Sequence, residues 1–160
     1  MRPYKFLGIP CFATPTENDQ LMEYLYSEIL EAIGELRTHN SIREIHGNER
    51  IDLLENIQAL FVKGNPRVWW ESLRYAPVLM DDDGSSSQYL KVAQFLPQNQ
   101  TYYFIADLSR FHIFEGVLRD IIEIIGNCSF FEYYIVDKEL STLLCETDHG
   151  AIYMSKREGV

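Results

Sequence analysis

Phe131-Glu-Tyr-Tyr-Ile-Val-Asp137 and Thr142-Leu-Leu-Cys-Glu-Thr-Asp-His149 are two strand-forming runs separated by a charged turn. Their β-branched and aromatic content marks them as neighbours in a sheet. A turn at His149-Gly150 then sends Ala151–Ser155 back as a third strand. Upstream, Thr101–Leu108 is a strand rich in aromatic residues, and Tyr89–Phe95 is read as another, with Pro97–Gln100 as the turn between them. A helix is expected over Ile113–Ile125, capped by Asp107 or Ser109. Its Val117, Leu118, Ile121, Ile122 and Ile125 make a broad apolar stripe, and Gly126-Asn127 ends it.

The N-terminal half reads as helical. Thr16 followed by Asp19 is an N-cap signature, and Met22, Leu25, Ile29, Ala32, Ile33 and Leu36 recur at helical spacing. That helix should end near Arg37–Asn40. Next comes a short strand or turn, interrupted at His46-Gly47-Asn48, then a helix over Asp52–Val62 stopped by Gly64-Asn65-Pro66. Trp69-Trp70-Glu71 follows, opening a helix at Pro66 or forming a short strand, with at least one tryptophan buried for its apolar area. Met80–Ser87, with Asp81, Asp82 and Asp83, is an acidic, mobile loop. Three adjacent aspartates lack the alternating spacing of a calcium-binding loop. The expected fold is α+β: one domain with N-terminal helices packed on an antiparallel sheet and one long helix in the C-terminal half.

Composition narrows the function. The 160 residues include 46% hydrophobic and 13% aromatic side chains, enough for a core without staples. The 24 acidic and 14 basic residues give a net charge of −10, which opposes nucleic-acid binding and suits a basic protein partner. No apolar window approaches the ~20 residues of a membrane span. The N-terminal run is broken by Gly8, Pro10 and Pro15, unlike a signal-peptide core, so a cytoplasmic protein is expected. Cys11, Cys128 and Cys145 form no C-x-x-C pair and are expected to be small buried hydrophobes.

The segment Glu132–His149, E-Y-Y-I-V-D-K-E-L-S-T-L-L-C-E-T-D-H, resembles a bacterial family of small uncharacterised proteins. Its members share E-Y-Y-I-V, a charged turn and W-L-L-C-E-N-H-H. Trp69-Trp70-Glu71 is similar to that family's W-W-E segment. Thr142, Thr147 and Asp148 depart from the pattern, and Asp148 replaces the first histidine, which counts against a paired-histidine metal site. More loosely, the architecture is similar to acidic α+β immunity proteins, which neutralise secreted toxins. The resemblance implies no catalytic activity.

Three readings follow. In the first, a non-catalytic binding protein of immunity type meets a basic partner through Asp81, Asp82, Asp83, Glu146 and Asp148, around an anchor at Trp69 or Trp70 beside Glu71. In the second, a small hydrolase or metal enzyme uses Glu146 and His149; the bland form of the same residues is a hairpin end tied by hydrogen bonds. In the third, a scaffold or oligomerisation module exposes Thr101–Leu108 as a sheet edge. No phosphate-binding glycine loop or nucleophile elbow is present. No cofactor or metal is assigned, and the sequence leaves the oligomeric state open.

Overall fold

The computed structural model describes residues 16–36 and 42–159. Helix α1 (Glu17–Glu35) starts with the reciprocal cap the sequence announces. Asp19 N–H donates to Thr16 Oγ1 at 3.2 Å, and Thr16 N–H donates back to the Asp19 carboxylate at 3.0 Å. Leu25, Ile29 and Ala32 form its buried stripe. Strand β1 (Ile42–Ile45) leads into α2 (Gly47–Phe61), which begins five residues before the expected Asp52. His46-Gly47-Asn48 opens this helix instead of interrupting it. Trp69–Ser72 is a short 3-10 turn, followed by β2 (Val78–Asp81).

Tyr89–Phe95, read as a strand, is helical. Gln88–Lys91 forms a 3-10 turn that runs into α3 (Val92–Phe95). Its apolar positions 89, 90, 92, 93 and 95 follow helical spacing and do not alternate, and the segment packs on α4 and not in the sheet. Strands β3 (Thr101–Asp107) and β4 (Phe111–Val117) form a hairpin, so Asp107 ends a strand, Ser109 lies in the turn, and neither caps a helix. Helix α4 (Leu118–Gly126) therefore starts five residues after the expected Ile113. The first part of that apolar run is claimed by seven residue pairs with β3. Strands β5 (Glu132–Asp137), β6 (Thr142–Glu146) and β7 (Ile152–Lys156) complete the chain close to where the sequence places them. Asp137 closes the β5–β6 turn by accepting from the N–H groups of Ser141 and Thr142, both at 2.7 Å.

All pairings are antiparallel, and the order is β1-β4-β3-β5-β6-β7-β2. β3 therefore lies inside the sheet, not at an edge. One sheet drawing strands from both halves makes this a single α+β domain.

Both faces of the sheet are buried. On one, Phe104, Phe114, Tyr133, Ile135, Leu144 and Ile152 pack with α1, α3 and α4. On the other, Ile105, Ile113, Tyr134, Val136, Leu143 and Cys145 pack with α2 and Trp69. This double cover explains why Tyr133–Val136 is apolar at every position, a pattern more usual in parallel sheets. Trp69 is held against Tyr134 and Phe111, with ring centroids 5.2 and 4.6 Å apart. Tyr134 Oη also accepts from the Trp69 N–H at 3.0 Å. Tyr134→Phe would keep the packing and leave this buried donor unpaired. Chemical denaturation should show a loss of about 1–3 kcal/mol; an unchanged midpoint would mean that the 3-10 turn does not depend on this bond.

Candidate functional site

With both faces covered, polar side chains of the central strands collect at the strand ends. Asp107 ends β3, Glu132 begins β5, and the two are direct partners in the antiparallel register. Like charges so placed repel. Alternation turns both toward the face that carries Tyr134 and the tryptophans. Burial, with the Glu132 charge adding to it, pushes the Asp107 carboxyl up to about 7, against an opposing pull from Arg67. Burial also raises Glu132, and Asp148 and Glu71 add repulsion. Arg67 and the Trp70 indole N–H act the other way. That indole falls short of a full hydrogen bond: Nε1 is buried without a partner among the described residues.

These groups border a cleft of about 510 Å³ beyond the strand ends, between α1 and the segments carrying Arg67 and Phe130. Asp107, Glu132 and Arg67 form its polar part, while Leu21, Met22 and Phe130 supply apolar wall. Leu21 and Phe130 are large apolar side chains left about half exposed at its mouth.

The residues singled out in the sequence divide among several places. Trp69 is in the core, with 2% exposure, and cannot serve as a surface anchor. Trp70, Glu71 and Asp148 act on Glu132 but do not line the cleft. Asp81 and Asp83 are engaged elsewhere: Lys91 Nζ pairs with Asp81 at 2.9 Å and with Asp83, and Gln88 Nε2 donates to Asp81 at 3.0 Å. The Lys91 hydrogen bond, helped by those from Ser85, holds the Asp83 carboxyl down at about 2. Asp82 is exposed.

Glu146 and His149 do not meet. Glu146 is 5% exposed and accepts from Tyr133 Oη at 2.5 Å. His149 sits in the β6–β7 turn, its side chain 82% exposed and 3.5 Å from Asp148. The turn is held by Thr147, whose Oγ1 accepts from the His149 and Ala151 N–H groups, and by Gly150 at φ +77°. Cys145 is buried, and desolvation pushes its thiol up to about 12, which leaves it inert at neutral pH. Cys128 is half-buried, and Cys11 lies outside the described residues. No three His, Cys, Asp or Glu side chains among the described residues are placed to hold one metal ion. No helix among them is long and apolar enough to cross a membrane.

Sequence reasoning missed Asp107, Glu132, Arg67 and Phe130 as site residues. A second missed cluster is structural in character: His112 is buried, stacks on Tyr26 with centroids 4.1 Å apart, and lies 3.3 Å from Glu44. Glu44 also accepts from Tyr26 Oη at 2.9 Å, which ties α1 to β1 and β4.

The raised Asp107 has a measurable consequence. Folded Asp107 holds its proton more tightly than the unfolded chain does. Its contribution to stability is full below about 3.8 and is lost as the pH rises to about 7. Denaturation of the protein and of Asp107→Asn across this window should show the wild type losing stability relative to the variant as pH rises. A difference that does not change with pH would place Asp107 in ordinary solvent.

No curated protein matches the sequence. Residues 23–159, which take in every strand and all but the first turns of α1, match one family model. The chain therefore belongs to the DUF6756 family, a family of unknown function.

Proposed function

We propose that this is a non-catalytic binding protein that takes a cationic group of a basic protein partner into the cleft at the ends of β3 and β5. The observation that carries the reading is the facing pair Asp107 and Glu132, half-buried and with Arg67 as the one cation among the described residues that acts on both. A guanidinium or ammonium group placed there would turn mutual repulsion into two charge-assisted hydrogen bonds. Phe130 and Leu21 at the mouth would cover the apolar stem of the incoming side chain. Glu71 and Asp148 add negative charge near Glu132, and the net charge of −10 would steer a basic partner toward the cleft.

The immunity-type role is the special case in which that partner is a toxin. Its support is the acidic surface and the α+β architecture. The reading differs from the sequence expectation in where the acidic face lies: the Asp81–Asp83 loop is occupied by Lys91, and the rim of the central strands takes its place.

The test uses a short peptide carrying arginine beside leucine, with a lysine-to-glutamate exchange elsewhere holding its overall charge low. Calorimetry should show binding that weakens with added salt. The Asp107→Asn/Glu132→Gln variant should lose about tenfold or more in affinity and most of that salt dependence. Asp81→Asn/Asp83→Asn should bind as the wild type does. Loss of binding in the loop variant, with none in the rim variant, would overturn the assignment of the cleft.

A further inference from the structure

A second cavity, of about 300 Å³, lies on the opposite face of the sheet from Asp107 and Glu132. Ser86, Ser87 and Tyr89 border it on one side, the end of α4 and Cys128 on another, and Phe130, Phe131, Tyr133 and Glu146 on the remainder. Tyr89 is seated against Gly126, where even a methyl group would come within 2.7 Å of its hydroxyl. The space is therefore walled by aromatic rings and serine hydroxyls, with one carboxyl group.

That carboxyl group is unusual in its company. Glu146 is almost fully buried, yet no ion pair among the described residues involves it. Its one hydrogen-bond partner among those residues is Tyr133 Oη, on Oε2. A carboxylate has about four acceptor positions, so most of its capacity is unused. A buried, unpaired carboxylate is expensive and takes up either a proton or a cation. Desolvation raises its pKa, against the Tyr133 hydrogen bond, which agrees with a group that lacks its counter-charge.

We infer that this cavity is a binding site for a small organic cation: a primary ammonium ion with an apolar or aromatic body. The ammonium would donate to Glu146 Oε1 and to the serine hydroxyls, and the Phe130, Phe131 and Tyr89 rings would take the body and the face of the cation. The volume is at the low end of the range for small-molecule sites, which suits a monoamine. The site shares Phe130 and Phe131 with the cleft of the preceding section, but its carboxyl group, Glu146, is on the other face of the sheet from Asp107 and Glu132.

Three probes of the same shape test it: phenethylamine, neutral 2-phenylethanol and anionic phenylacetate, each titrated into the full protein and followed by calorimetry and backbone NMR. Phenethylamine alone should bind, moving the signals of Ser87, Tyr89, Gly126 and Cys128. Its affinity should fall as the pH is lowered and Glu146 takes a proton. The amine stays charged throughout; of the other groups facing the cavity with Tyr89, burial pushes the Cys128 thiol up to about 11 and the Tyr133 hydroxyl well above its ordinary value. Glu146→Gln should keep the fold and lose about tenfold or more in affinity. Equal binding of the amine and the alcohol, binding that is indifferent to pH, shifts confined to Asp107 and Glu132, or no binding of the amine would each overturn the inference. These wild-type outcomes decide the matter even if the variant does not fold.

Discussion

Burial of the sheet on both faces is the constraint from which the rest of the structure follows. β3 and β5 run through the middle of seven antiparallel strands, with helices on either side, so their side chains have no solvent to face along most of their length. Such strands must be apolar at consecutive positions, and Tyr133–Val136 is. A charge can be carried only where a strand leaves the sandwich. Asp107, Glu132 and Glu146 stand at those points, two toward one face and one toward the other.

Polarity at the exits then takes two forms. Where lysine or arginine is available the carboxylates are paired: Lys91 with Asp81 and Asp83, Arg43 and Lys138 with Glu115. These pairs are exposed enough to add little to stability. Where no full partner is available the carboxyl group is left half-desolvated, and its proton affinity rises. This second group marks the places where an incoming cation would gain most: the cleft holds two of its members, Asp107 and Glu132, and the cavity one, Glu146.

The sequence carried the architecture further than the site. Strands β3, β5, β6 and β7 were legible because β-branched and aromatic runs end at unmistakable turns, and Asp137 and Gly150 are turn residues with a mechanism. Two of the failures concern apolar runs that composition leaves open between helix and strand, and a third took the turn-forming His46-Gly47-Asn48 as a break where it opens α2. Phe111–Val117 joins smoothly onto the α4 stripe, and only pairing with β3 separates them. Tyr89–Phe95 is bounded by aromatic residues that suit a strand, but its apolar positions have helical spacing and it packs on α4. The site was less legible because its members are distant in the chain and meet only through strand register. Asp107 and Glu132 are 25 positions apart and face each other solely because β3 and β5 pair where they do. The adjacent motif Glu146-Thr147-Asp148-His149 pointed instead to a site that the strand-to-turn change pulls apart, with Glu146 inside and His149 outside.

The most direct test of this account is the titration of the side-chain carboxyl carbons by NMR. An unpaired carboxyl group at the exit of a doubly covered sheet should hold its proton into the neutral range, and Asp107 should titrate near 7. A midpoint for Asp107 at its ordinary value near 3.8 would contradict the account, because the β3–β5 rim would then be solvated surface with no unmet demand for a cation.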